Sequence, residues 1–292
     1  MGLSEALDSA DQSGYIFPAS YGPQLTPPYP LYLFDRIAAY VIGSIFSLLF
    51  LSLIIRSIFH RSALFILGII GAACISASFF LRAIFGYSSN TDLDMYMSLY
   101  ILHTAGAVLL VSNTLCMAGK WIQVVDRGRY HVAVPLWVLS SICAIGPTLL
   151  EILGIYRLYN DYSIDLWYTD TVLHLAAIAT ILGFCGIGII LTVWKACVAS
   201  GRRIAVDVTI LILSFMLVGV WAGFTLAQVL SSMYSIVNTN EVLWGVLGSL
   251  PLALVLFMWL VTSAPRRFRF SDFFGNKGPE QNFPPETVYT HG

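Results

Sequence analysis

The sequence predicts an all-α membrane protein, a bundle of seven transmembrane helices. Three observations lead to this prediction: seven long apolar stretches, a composition that is 58% apolar and only 11% charged, and an uneven distribution of Lys and Arg among the connections. A soluble globular domain carries about 25% charged residues. Because the connections are short, the helices are expected to pack as one bundle with no second domain.

Each apolar stretch holds about 20 or more mostly apolar residues, which is enough to cross a hydrocarbon core of about 30 Å as an α-helix. The stretches cover about 37–58, 63–85, 96–122, 132–155, 171–194, 204–230 and 242–263. Together they predict a membrane domain over residues 31–264.

The two flanking segments differ in composition. Residues 1–30 are rich in Pro, Gly, Ser and Tyr, contain no Lys or Arg and no apolar core, and are expected to form an irregular extracellular tail rather than a cleavable signal peptide. Residues 265–292 begin with the basic pair Arg266 and Arg267 and continue as a segment that we expect to be disordered in the cytosol.

The basic residues predict the orientation. If helix 1 runs from outside to inside, twelve of the fifteen Lys and Arg residues lie on the cytoplasmic side, and the other three are Arg36, Arg82 and Arg157. An excess of Lys and Arg in the short loops on one side of the membrane is the positive-inside pattern. We therefore expect the N-terminus outside and the C-terminus in the cytosol. The absence of a retrieval signal favours the plasma membrane, with the endoplasmic reticulum as the alternative.

Composition and motifs also exclude several classes of function. A net charge of −1 gives no reason to expect nucleic acid, and we find no nucleotide-binding loop, cofactor motif or metal-ligand cluster. Helix 7 has no lysine on which a retinal Schiff base might form. No cofactor is therefore predicted, and the sequence does not predict an oligomeric state.

Polar side chains inside apolar spans are functional candidates because an ionised group at mid-bilayer costs about 2.5–3.5 kcal/mol on insertion scales. Six of the seven helices carry such a group in the half that the orientation places outside. They are Arg82, His103, Glu151, Asp170, His174, Gln228 and Glu241. We interpret this layer as a pocket in the outer leaflet that binds the headgroup of a membrane lipid or an amphiphilic small molecule.

Simpler interpretations stay open for individual residues. Arg82 and Glu151 lie near helix ends and can extend to the interface. His103 can be a packing histidine, and Asp170 with His174 can form a local pair on one helix face.

Glycines and prolines predict local packing and bending. Pro147 and Pro251 are expected to kink helices 4 and 7. Close approach between helices is expected at Gly183, Gly186, Gly188, Gly219 and Gly223.

Helix 7 carries a recognisable pattern: it begins at Glu241, reaches Pro251 ten residues later and ends before Pro265-Arg266-Arg267. Helix 2 ends with an arginine, Arg82. This arrangement resembles the fungal RTA-like lipid-translocating exporters, seven-helix proteins linked to sphingoid-base release and aminocholesterol resistance. The resemblance implies a transporter of lipids or amphiphilic metabolites.

Two other functions remain as alternatives. Small seven-helix fungal membrane proteins include terpene cyclases of secondary metabolism, in which a buried carboxylic acid protonates the substrate. Glu151 is the catalytic acid under that hypothesis, with Trp137, Tyr156 and Trp167 as candidate aromatic partners. A seven-helix receptor is the second alternative, and its support is the Asp126-Arg127 pair after helix 3.

The predicted orientation is directly testable with an epitope tag at either end of the chain. In intact spheroplasts, an antibody should reach the N-terminal tag without permeabilisation and the C-terminal tag only after it. The reverse accessibility would contradict the assignment of the basic connections to the cytosol.

Overall fold

The computed structural model describes residues 36–85, 93–125, 133–160, 164–198, 202–231 and 240–267. Within these residues every regular element is helical, and seven helices are long and apolar enough to cross a membrane. The predicted seven-helix membrane class is thereby confirmed. The orientation of the two ends stays a prediction.

The first six spans are α1 to α6. Their bounds are Arg36–Phe59 for α1, Ile66–Phe85 for α2 after a 3₁₀ turn at Ala63–Phe65, Leu93–Val125 for α3, Ala133–Asn160 for α4, Ile164–Val198 for α5 and Arg202–Leu230 for α6. Helices α3, α4 and α5 extend beyond the predicted apolar stretches, because helical backbone hydrogen bonding continues into the more polar residues that flank a span.

The seventh span has three parts: α7 at Glu241–Leu243, a π-helical segment at Trp244–Ser249 and α8 at Leu250–Val261. A short helix, α9, follows at Ala264–Arg267. Pro251 explains the change of helix type, since it has no N–H to donate to the preceding turn and its ring crowds that turn. Just before it, the Leu250 N–H bonds the Gly245 carbonyl, five residues back. The prediction of a kink at Pro251 thus corresponds to a widened helical turn.

Consecutive spans contact one another and form a ring, in which α3 is the most deeply buried member. Helix α3 contacts α2, α4, α5 and α6, while α8 closes the ring by contacting both α6 and α1. The apolar window of α3 is 72% buried, against 22% for that of α1. The outer helices present large apolar side chains such as Ile45, Leu48 and Ile190 on the surface, as expected for faces in contact with lipid chains.

Helices α2 and α3 cross at two glycines. A Cβ at Gly106 would lie 2.7 Å from the Gly71 carbonyl oxygen and 2.5 Å from a side-chain carbon of Ile75. Nearby, the Asn113 side-chain oxygen accepts a hydrogen bond from the Gly68 N–H at 3.2 Å. The crossing therefore combines close backbone packing with a polar contact between the two helices.

The predicted glycine contacts are only partly correct. Gly188 packs against the Phe215 ring of α6. A Cβ at the other four positions would meet no heavy atom within 4 Å: Gly183, Gly186, Gly219 and Gly223. The prediction of close helix approach at those four is wrong, because small residues permit a close crossing without forcing one.

The centre of α3 carries a polar run that is satisfied internally. The Ser112 and Thr114 hydroxyls donate to the carbonyls of Val108 and Leu110 at 3.0 and 2.8 Å. The Ser140 hydroxyl of α4 donates to the Ser112 carbonyl at 2.7 Å. These bonds remove the cost of burying hydroxyls in an apolar bundle.

Helix α1 and the seventh span are tied together at the end where α1 finishes. Arg56 Nη1 donates to the Leu260 carbonyl at 2.6 Å and to Ser263 Oγ at 2.8 Å. We call this the Arg56 end and the opposite end, where α1 begins, the Arg36 end.

Replacing Gly106 with Ala should destabilise the bundle by about 1–3 kcal/mol, because the added methyl group overpacks the α2–α3 crossing. Gly223→Ala is the matched control, since its methyl group would enter open space. Thermal unfolding in detergent should show a clearly lower midpoint for Gly106→Ala alone. Equal midpoints would contradict the close crossing.

Candidate functional site

Arg82 lies inside the bundle near the Arg36 end. It belongs to α2, three residues before the helix ends, and its side chain is only 5% exposed. Its guanidinium carbon is 3.5 Å from the centroid of the Trp244 ring and 5.9 Å from that of Phe79. A desolvated cation–π contact of this kind contributes about 2 kcal/mol or more. Trp244 therefore stabilises the charge that Arg82 brings into an apolar region.

His103 approaches the same aromatic side chains from α3. It is 7% exposed, and its ring centroid is 5.2 Å from Trp244, 5.8 Å from Phe79 and 6.5 Å from Trp221. Nδ1 lies 3.4 Å from Ser78 Oγ. Nε2 is buried and has no hydrogen-bond partner among the described residues, although such groups are normally paired. The imidazole is thus a polar group that packs mainly among aromatic rings.

These side chains form one group, which we call the Arg82 cluster. Four spans contribute to it: Ser78, Phe79 and Arg82 from α2, His103 from α3, Trp221 from α6 and Trp244 from the seventh span. Trp244 contacts both Arg82 and His103, so one indole links the two polar groups.

A cavity of about 340 Å³ adjoins the cluster, between α1, α2 and the seventh span. Its lining residues are Ala38, Ala39, Ile42, Phe79, Arg82, Val242, Trp244, Gly245 and Val246. Val242 is 71% exposed and Val246 is 48% exposed. The cavity therefore opens sideways through the outer surface of the ring, and we call it the lateral cleft.

The charge of the lateral cleft comes from Arg82. Among the described residues that line it, Arg82 alone carries a charge, and the others are apolar or glycine. A guanidinium presents five N–H donors in a planar fork that matches a carboxylate or a phosphate. The cleft therefore combines one anion-binding group with apolar walls.

Local sequence explains why the cleft exists. Ala38 and Ala39 supply small side chains on α1, and Gly245 supplies none on the seventh span. A Cβ at Gly245 would meet no heavy atom within 4 Å. Asn240 holds the start of this span, because its side-chain oxygen accepts hydrogen bonds from the N–H groups of Val242 at 2.9 Å and Leu243 at 3.3 Å.

Of the seven side chains predicted to form the pocket, the structure brings Arg82 and His103 together. His174 of α5 lies against α3 instead, where its Nε2 is 3.0 Å from the Tyr100 hydroxyl. Gln228 is half-buried near the end of α6. The side chains of Glu151, Asp170 and Glu241 lie outside the described residues.

Sequence reasoning missed the apolar half of the cluster. Phe79 lies three residues before Arg82 on α2 and shares its face, so the spacing of an aromatic residue and a buried cation was the available signal. Trp221, Trp244 and Gly245 gave no comparable signal, because their roles depend on how separate helices meet.

Of the aromatic side chains proposed for a cyclase, that of Trp137 is described, whereas those of Tyr156 and Trp167 lie outside the described residues. Trp137 packs against Gly119 of α3. Glu151 follows it by fourteen residues on the same helix, a distance of about 21 Å along the axis at 1.5 Å per residue. Trp137 therefore cannot line a site around Glu151.

No protein-family model, curated protein or solved structure matches this chain. The resemblance to RTA-like exporters therefore stays a prediction.

The contact between Arg82 and Trp244 can be measured with a double-mutant cycle. Arg82→Gln, Trp244→Leu and the double variant should give a coupling energy of about 2 kcal/mol in detergent unfolding.

The control is a second cycle that pairs Arg82→Gln with Trp259→Leu, because Trp259 packs against Phe65 far from the cluster. That pair should be additive within about 0.5 kcal/mol. Additivity in both cycles would contradict the cation–π contact.

Proposed function

We propose that the protein binds lipids or amphiphilic metabolites in the lateral cleft and moves them from one leaflet to the other. The observation that carries this proposal is a buried guanidinium at the base of a cleft that opens sideways between α1 and the seventh span. A headgroup can contact Arg82 there while its apolar chain stays among the lipids. A site for a water-soluble ligand has no need of a lateral opening.

The depth of the cleft also supports a lipid ligand. Arg82 lies three residues from the end of α2, and Trp244 lies three residues after the start of α7, which is about 4.5 Å along each helix axis. That is close to the level at which headgroups meet the hydrocarbon core. On the predicted orientation, this level belongs to the outer leaflet.

The central helix offers polar partners beyond the cleft. Buried polar side chains recur along α3 from His103 to Gln123: His103, Thr104, Ser112, Asn113, Thr114, Lys120 and Gln123. Near the Arg56 end, the Lys120 ammonium donates to the Gln123 side-chain oxygen at 3.2 Å. In the conformation described, Ser112 and Thr114 donate to backbone carbonyls. A headgroup that leaves Arg82 and follows α3 would exchange partners with such groups at several depths, which lowers the cost of crossing the core.

The path is closed in the conformation described. His103 is not among the described residues that line the cleft, and fully buried Leu110, Leu115 and Phe215 fill the core further in. Translocation therefore requires the seventh span to move. Its π-helical segment is suited to such a movement, since π turns are less regular than α turns and are frequent at functional sites.

The proposal can be tested in liposomes that contain the purified protein and phospholipids with a fluorescent group on the chain. Dithionite bleaching from outside measures how fast labelled lipid moves between leaflets. Wild-type protein should accelerate this movement, and Arg82→Gln should slow it about tenfold, because a hydrogen bond to a charged group contributes about 1.5–3 kcal/mol.

Gly245→Leu should slow the movement as well, because a Cβ at this position meets no heavy atom within 4 Å and the rest of the side chain would occupy the cleft. Gly183→Leu is the matched control: Gly183 is exposed on α5, and its added side chain would also enter open space. A wild-type rate equal to that of protein-free liposomes, for anionic, zwitterionic and cationic labelled amphiphiles alike, would refute translocation.

A further inference from the structure

We infer that the lateral cleft is a binding site for a single anionic headgroup, a phosphate monoester or a carboxylate, borne by an amphiphile whose chain remains in the bilayer. This inference rests on the proposed function for its setting and adds the class of ligand.

The positive charge of Arg82 favours an anionic headgroup. Arg82 brings a full positive charge to a cleft whose other described lining residues are apolar or glycine. The contact with Trp244 covers one face of the guanidinium plane, while the N–H donors lie at the edges of that plane. Because a guanidinium has five donors, it can keep a protein partner on one edge and bind a ligand oxygen with another.

The aromatic side chains argue against a cationic headgroup. Aromatic faces bind ammonium groups when they surround an empty space. Here the Trp244 face is covered by Arg82 at 3.5 Å, and the Phe79 ring packs on Phe46, His103 and Trp244. An ammonium group in the cleft would meet a like charge and no free aromatic face. An amine headgroup is therefore disfavoured.

The size and shape of the lateral cleft also fit a headgroup. A volume of about 340 Å³ is at the lower end for ligand pockets, so the cleft fits a headgroup rather than a whole lipid. Its rim consists of the exposed side chains of Val242 and Val246 on one side and of the partly buried Ile42 on the other. An apolar rim beside one cation matches the boundary between an anionic headgroup and its chain.

Equilibrium binding to the full-length protein in phosphatidylcholine nanodiscs tests the inference. The probe is tritiated lysophosphatidic acid, and the competitors are unlabelled lysophosphatidic acid, palmitate, lysophosphatidylcholine, sphingosine and inorganic phosphate. We expect the two anionic amphiphiles to compete at least tenfold better than lysophosphatidylcholine or sphingosine. Inorganic phosphate should not compete at millimolar concentration, because it lacks the chain that the bilayer holds.

Variants locate the site. Arg82→Gln should weaken binding about tenfold or more, and Arg82→Lys should weaken it less, because a point charge remains without the planar fork. Gly245→Leu should weaken binding while keeping the wild-type unfolding midpoint, and Gly183→Leu should bind as wild type. The Gly245 and Gly183 pair keeps the test decisive if Arg82→Gln does not fold.

Three results would overturn the inference: equal competition by sphingosine, displacement by inorganic phosphate at the concentration that displaces the lipid, or unchanged binding in Gly245→Leu. Failure of the anionic site and failure of translocation give different results. Anion-selective binding without movement between leaflets would refute translocation alone, whereas movement that is independent of headgroup charge and of Arg82 would refute the anionic site alone.

Discussion

Burying the Arg82 guanidinium in an apolar bundle is costly unless its charge finds partners, and the structure near the Arg36 end is organised around that cost. Trp244 stacks on the Arg82 guanidinium at 3.5 Å, Phe79 lies one turn earlier on the same helix, and His103 packs behind them. The contact requires α2 and the seventh span to be adjacent, since Arg82 and Trp244 are far apart in sequence. The closure of the helical ring and the presence of a charge in the cleft are therefore linked.

The seventh span sets the shape of the cleft. Pro251 cannot donate a backbone hydrogen bond, and the helix before it widens into a π-helical segment that starts at Trp244. Gly245 follows directly and leaves space where a side chain would otherwise project. At the other end of the span, Arg56 ties α1 to Leu260 and Ser263. The same pair of spans is thus joined at the Arg56 end and separated by a cleft at the Arg36 end.

The sequence was sufficient for the membrane class, because hydrophobic length can be read without knowing any contact. It also identified Arg82 and His103, since ionisable groups in apolar spans are exceptional. It did not identify Trp244, Gly245 or the cleft, which depend on the positions of three separate helices. The expectation for Gly219 and Gly223 was wrong for a related reason: spacing permits a close crossing, but the packing of the whole ring decides which faces meet.

The central claim is that an amphiphile enters the protein sideways and places its headgroup against Arg82. The most direct measurement is photocrosslinking with a phosphatidic acid that carries a diazirine next to its headgroup, followed by mass spectrometry of the labelled residues. Our account predicts labelling concentrated at the rim and floor of the cleft, at Val242, Val246 and Ile42, and lost in Gly245→Leu. Labelling spread evenly over outward-facing residues such as Ile187 and Ile190, unchanged in that variant, would contradict it.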